Sequence, residues 1–288
     1  MKQFLKDILL QARKDARGLG HFNISNLEML QGILEAAKEA DAPVMIGTSE
    51  NEAQFIGYRT AVAMARAAAE EHGVPVFLNA DHHKSVEAAK AAIDAGYESV
   101  HIDLSRIPYE ENITGTKEVV DYARASGHDV SVEGELGILA TESSKLYEAE
   151  IVVRPDDLTS PDQAKDFVKR TGVDRFAPAV GNFHGISVKT EKKLDMERIS
   201  AIRAVLPESV ALVLHGGSGT SDDQLQEAIR RGVANVHIST ELRVAYTEAL
   251  RKSLADNPGE TTPYKIFSPA VKAVKNVVGQ KLTLFGWK

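Results

Sequence analysis

The sequence predicts an α/β protein built as a (β/α)8 TIM barrel, a single domain over residues 1–288 with a helical extension toward its C-terminal end. Three observations predict it. Eight short apolar runs alternate with amphipathic helical patterns along almost the whole chain. Most of those runs are too apolar to have a wet face, which suits parallel strands covered on both sides. The length of 288 residues is close to the roughly 250 typical of the fold. A doubly wound open sheet is the competing architecture, but no GxGxxG turn follows the first strand.

The expected strands are GHFNIS (20–25), APVMIGTS (42–49), VPVFLNAD (74–81), SVHIDL (99–104), DVSVEGEL (129–136), RFAPAV (175–180), ALVLHG (211–216) and NVHIST (235–240). Between them, NLEMLQGILEAAKEA, GYRTAVAMARAAAEEHG, SVEAAKAAIDAG and DDQLQEAIRRG carry helical periodicity, several closing on glycine. The opening MKQFLKDILLQARKDARG is charged throughout and reads as an amphipathic helix rather than a signal peptide. The longest irregular segments are 137–160 and 181–195, on the side of a barrel where lids and substrate loops lie. The tail, 256–288, reads as a loop through NPGETTPYKIFSP and then a short helix.

Composition narrows the function. A net charge of −7 argues against nucleic acid or an anionic membrane as partner, so an anionic substrate must be met by a local feature. There is no cysteine, hence no disulfide and no thiolate ligand, and a metal here would use His and carboxylate. No run reaches the length of a membrane span. A cytoplasmic protein is expected.

In a barrel, chemistry collects at the C-terminal ends of the strands. Asp81, His82 and His83 close the third expected strand, His184 follows the sixth and His215 the seventh. Taken singly, Asp81 reads equally as a helix N-cap, and a strand-end histidine as a hydrogen-bonded structural residue. Three imidazoles on different strands favour a shared divalent-metal site with an open position. Neighbours cannot all point one way, so Asp81 is assigned to substrate, His82 to metal and His83 to the periphery. Glu133 and Glu135 share a parity, with Asp103 similarly placed. Glu135 is assigned to the metal set. Asp103 joins that set, with Glu133 behind it, as groups that hold the imidazoles. The alternative is an interior polar layer paired with Lys or Arg. Gly216, Gly217, Ser218 and Gly219, with Ser239 and Thr240, fall where barrels bind phosphate through backbone N–H groups and small hydroxyls. Lys189 either adds charge there or is an ordinary exposed lysine.

The segments FNISNLEMLQGILEAA, ADHHKSVEAA, ESVHIDLSRIPYEENITGTKEVVDYA, VEGELG, AKDFVKRTGVDRFAPAVGNFHG, VLHGGSG and NVHISTELR together resemble the class II, metal-dependent ketose-bisphosphate aldolases. They run in the family's order over nearly the whole chain. The compact length and the DHH triplet look like the branch that holds tagatose-bisphosphate and compact fructose-bisphosphate aldolases. The resemblance implies zinc, or Co2+, Mn2+ or Fe2+, on His82, His184 and His215, with Glu135 serving an alternative position. It implies a monovalent cation near the phosphate. It implies that Asp81 handles the C4 hydroxyl proton, that Gly185, Gly216, Ser218, Ser239 and Thr240 hold phosphate, and that Asn23 and Ser49 line the pocket. The implied reaction is reversible cleavage of fructose 1,6-bisphosphate, a step of glycolysis and gluconeogenesis, with tagatose 1,6-bisphosphate as the alternative substrate. A homodimer or homotetramer is implied.

The chain also departs from the family. His237 stands where an asparagine usually orients the dihydroxyacetone part. The loop after ELG reads GILATESSKLYEAE, which makes Glu142 the candidate acid/base for the C3 proton, with Glu148 and Glu150 as fallbacks. TTPYK offers no arginine for a second phosphate. Among rivals, a Schiff-base aldolase wants a strand-end lysine, and a metallohydrolase barrel wants an early HxH. Neither is present. A non-catalytic partner subunit built on the same barrel is the alternative of another kind.

Overall fold

The computed structural model describes residues 4–142 and 145–288, and a closed barrel of eight parallel strands forms its centre. In chain order the strands are β1 (Leu19–Asn23), β2 (Val44–Ser49), β3 (Val76–His83), β4 (Ser99–Ile102), β5 (Ser131–Leu136), β6 (Leu146–Tyr147), β7 (Arg175–Pro178), β8 (Ile186–Ser187), β9 (Ala211–Leu214) and β10 (Val233–Ile238). All but β6 and β8 belong to the barrel, in the order β1, β10, β9, β7, β5, β4, β3, β2. Each of the eight expected strands is present, its ends displaced by no more than two residues.

The helices are α1 (Leu5–Lys14), α2 (Leu27–Glu39), α3 (Glu50–Ile56), α4 (Tyr58–His72), α5 (Val86–Ala95), α6 (Tyr109–Ala125), α7 (Pro161–Thr171), α8 (Met196–Val205), α9 (Asp222–Arg230), α10 (Thr240–Asp256) and α11 (Pro263–Leu284). Local chemistry sets several boundaries. The Asn26 side chain accepts the Met29 N–H at 3.0 Å and starts α2. Ser160 and Gln163 form a capping box at α7, with Pro161 in the first turn. Gly96 ends α5 at φ 101°, a backbone that side chains disfavour.

The strands' outer faces and the helices bury one continuous apolar layer that includes Leu30, Ile33, Val100, Phe167, Phe176 and Ile238. At the strand starts, α1 sets Leu5 and Leu9 against Leu19, Met45, Phe77, Ala211 and Ala234. This helix therefore plugs the bottom of the barrel, which explains the amphipathic opening; residues 1–3 of that run lie outside the described residues.

Two segments differ from expectation. The irregular segments after β5 and β7 contain β6 and β8, which pair in parallel as Leu146 with Ile186 and Tyr147 with Ser187. The tail is more helical than its prolines suggest. Pro263 sits in the first turn of α11, where its missing N–H is no loss. Pro269 is tolerated inside because Ala270, Val274, Val278 and Leu282 form a fully buried stripe. Gly32 of α2 allows that stripe to approach: a Cβ there would stand 2.6 Å from the Val271 carbonyl oxygen. Beyond the helix, Trp287 Nε1 donates to the Gly18 carbonyl at 2.8 Å.

Candidate functional site

β3 delivers two adjacent side chains to one place. Its pairing with β4 shifts between Ala80 and His83, and His82 takes a positive φ of 48°. A bulge breaks the alternation of a regular strand. Asp81 and His82 both line the cleft at the strand ends. His83 turns away, its Nε2 3.1 Å from the Tyr58 hydroxyl, as its peripheral assignment requires.

The three expected histidines converge. The His82 ring lies 4.5 Å from that of His215 and 4.8 Å from that of His184, and His184 lies 5.9 Å from His215. A fourth imidazole, His101 of β4, packs 4.5 Å from His82 and 4.7 Å from His215. Sequence reasoning passed over His101 as one member of a strand; the signal was its parity with Asp103. Among the described residues, Asp81, His82, His101 and His215 bring possible ligand atoms within 4.8 Å of one another, as do His82, Asp103 and Glu135. His184 belongs to neither set, although its ring touches both partners.

Carboxylates brace these rings. Asp103 Oδ2 lies 2.9 Å from His82 Nδ1, and Glu133 Oε1 lies 2.7 Å from His215 Nε2. Glu133 is also ion-paired with Arg175, which is wholly buried. Both readings of Glu133 therefore hold: it orients an imidazole and belongs to an interior polar layer. Glu135 Oε2 lies 3.3 Å from His101 Nε2 and 3.7 Å from His82 Nδ1. Burial pushes Glu135 up, and the nearby Asp103 adds to the effect.

Asp81 is held differently. Burial would raise its pKa, but His82 and His21 outweigh that and hold it well below the usual carboxylate range. Its Oδ2 accepts from Asn23 Nδ2 at 2.9 Å, while Oδ1 lies 3.3 Å from His237 Nδ1 without a well-directed hydrogen bond. His237 stacks face to face on His21 at 3.6 Å. Room for that pair comes from Gly47, where a Cβ would stand 2.2 Å from His21.

The rest of the cleft is lined by Gly185, Gly216, Ser218, Ser239 and Thr240, together with Asn23. Gly217 lies just behind, its N–H bonded to the His237 carbonyl. Two expected members lie elsewhere. Ser49 caps α3, its N–H and hydroxyl both bonded to Glu52 at 2.8 Å, and does not line the cleft. Glu142 is exposed and paired with Lys145 on the 137–160 segment. Lys189 is exposed too. The lysine that serves this region is Lys192, which is buried and which nothing in the TEKKL run distinguishes from its neighbour.

The residues fit a divalent ion. Burial, with the charge of His82, lowers His184 to about 3, and burial likewise holds His215 well below the ordinary histidine range. Neutral imidazoles are what a metal binds; His82, which Asp81 and Asp103 raise against burial, would give up its proton on ligation. His184 Nε2 and Glu135 Oε2 are buried without a hydrogen-bond partner, a costly state for a polar atom that a ligated ion relieves.

A parallel barrel with histidines and carboxylates gathered at its strand ends defines a metal-assisted barrel enzyme. Comparison makes the class specific. Residues 3–288 match the family model for class II fructose-bisphosphate aldolase. A fructose-bisphosphate aldolase of Geobacillus stearothermophilus is 41% identical over 285 residues, 98% of this chain and 96% of that protein. One from Staphylococcus aureus is 38% identical over the same shares. Among solved structures, the YdjI aldolase of Escherichia coli K12 superposes with a TM-score of 0.80 at 33% identity, covering 100% of this chain and 98% of that one. A putative fructose-1,6-biphosphate aldolase of Coccidioides immitis gives 0.83 at 28%, covering 98% and 95%. The chain belongs to the class II fructose-bisphosphate aldolase family, a family of metal-dependent aldehyde-lyases. This favours an enzyme over a non-catalytic partner subunit.

Proposed function

We propose that this chain cleaves fructose 1,6-bisphosphate reversibly to dihydroxyacetone phosphate and glyceraldehyde 3-phosphate. His82, His184 and His215 would hold the divalent ion, zinc or one of Co2+, Mn2+ and Fe2+, with Glu135 and Asp103 beside them. The observation that carries the reading is the buried, unpartnered Nε2 of His184 next to the His82 and His215 rings. When bound, such an ion polarises a ketone oxygen and steadies negative charge developing on it.

The remaining work falls to side chains. Asp81 is ionised, and Asn23 occupies only its Oδ2. Oδ1 is left to accept the C4 hydroxyl proton as the C3–C4 bond breaks. His237, held flat on His21, replaces the family's asparagine against the dihydroxyacetone part. Glu142 delivers the C3 proton once the 137–160 segment closes, a closure that would also exclude water. The pairing of β6 with β8 ties that segment to the one bearing His184. Gly185, Gly216, Ser218, Ser239 and Thr240 cradle a phosphate, with Gly217 behind them rather than in the cradle, and the buried Ser239 hydroxyl, which has no partner, supports this. The working unit would be residues 1–288 as one domain, in a cytoplasmic homodimer or homotetramer.

The test is fructose 1,6-bisphosphate cleavage, coupled to reduction of the triose product, with EDTA and then added zinc. Loss with chelator and recovery with zinc are expected. Activity that survives complete metal removal would refute the three-histidine assignment. Tagatose 1,6-bisphosphate, run in parallel, sets the preference at C4.

A further inference from the structure

Behind the residues that line the cleft lies a charge that the family resemblance does not supply. Lys192 follows β8 on an irregular stretch, yet its side chain is buried among glycines. Its Nζ donates to three backbone carbonyls: Gly185 at 2.8 Å, Gly216 at 2.6 Å and Ser218 at 2.5 Å. It also sits 4.7 Å above the Phe183 ring. The first carbonyl belongs to the segment after β7, and the other two to the segment after β9. All three residues line the cleft.

Three convergent acceptors match the three N–H donors of an ammonium, whereas a neutral amine has only two. Burial pulls Lys192 down to about 7, opposed by the Glu241 carboxylate, and the three carbonyls favour the charged form further. Convergent backbone carbonyls around a small cation are also how proteins hold a bare monovalent ion. Here the three carbonyls converge on a covalently attached ammonium.

We propose that Lys192 is a built-in cation of the phosphate cradle: it ties the Gly185, Gly216 and Ser218 carbonyls together, lends positive charge beneath the phosphate, and makes a free monovalent cation unnecessary. This rests on the reading of the cleft as a phosphate site. It makes Lys192 a positioning residue, and it replaces the monovalent ion expected from family resemblance. Opening the position should create a demand for such an ion.

The experiment compares the wild type with Lys192→Ala and Lys192→Met in buffers whose only monovalent cation is tetramethylammonium, potassium or ammonium. For the wild type, the KM for fructose 1,6-bisphosphate and the Tm rise given by inorganic phosphate should agree within about twofold across the three buffers. Lys192→Ala in tetramethylammonium should raise KM at least tenfold and lose the phosphate-dependent Tm rise. Ammonium or potassium should restore both toward wild type. Lys192→Met, which fills the space without charge, should show the same loss without rescue. A wild type activated fivefold or more by potassium would overturn the proposal, as would Lys192→Ala with an unchanged KM or without rescue by either ion. The wild-type comparison decides the matter even if neither variant folds. The Tm readout needs no turnover, so phosphate binding that persists without cleavage separates failure of the aldolase reading from failure of this one.

Discussion

Replacing Arg175 with methionine should destabilise the protein by about 3–5 kcal/mol, the usual consequence of removing one partner of a buried ion pair. The structure explains the size. Arg175 and Glu133 are both fully buried. The guanidinium pairs with Glu133, donates to Asn79 Oδ1 at 3.0 Å and Ser131 Oγ at 3.2 Å, and also reaches Ser99 Oγ. Methionine fills much of the volume but supplies none of these donors. Asn79 keeps the Ser99 hydroxyl at 2.6 Å, so the group of consequence is the Glu133 carboxylate, left without its cation and with the His215 ring as its hydrogen-bond partner. With an m-value of about 3 kcal/mol per molar urea, the unfolding midpoint should fall by roughly 1–1.7 M. The double variant Glu133→Gln/Arg175→Met removes the stranded charge and should recover a large part of the loss. Equilibrium urea unfolding of the metal-free protein, followed by circular dichroism, measures all three. A single-variant loss below about 1 kcal/mol would refute the account, and so would a double variant as unstable as the two singles added.

Three further outcomes are expected. Asp81→Asn should lower kcat by about 10²–10⁴-fold, the range for a lost general base, with divalent-ion content by elemental analysis unchanged. Glu142→Gln should lower kcat by a similar factor, and the rate of C3 proton exchange in dihydroxyacetone phosphate should fall with it. An unchanged rate would move the role to Glu148 or Glu150. Gly32→Ala should cost about 1–3 kcal/mol in thermal unfolding, because the added methyl meets the Val271 carbonyl of α11.

The barrel was legible because its strands are short, apolar and regularly punctuated, and because parallel strands leave no wet face to blur the pattern. The placement of His82, His184 and His215 was legible for a related reason: polar residues at strand ends have few places to point except the cleft. His101 was hidden because a histidine inside a buried strand looks like core. Lys192 was hidden more deeply. Its burial depends on three carbonyls from two distant segments, and no local pattern records their convergence. Ser49 was misplaced for the opposite reason, since a strand-end serine serves a helix cap as readily as a ligand. The tail was misread because two prolines outweighed a stripe of apolar residues spaced at four.

The tie between Trp287 and Gly18 spans 269 residues of sequence. On a ribosome adding about 5–20 residues per second, that span takes roughly 13–54 s. Through most of that interval β1 lacks the β10 edge it pairs with, and the face of α2 that receives α11 stays open. Barrel closure therefore waits on chain made more than 200 residues after β1, and α2 keeps its α11-facing side uncovered until α11 emerges.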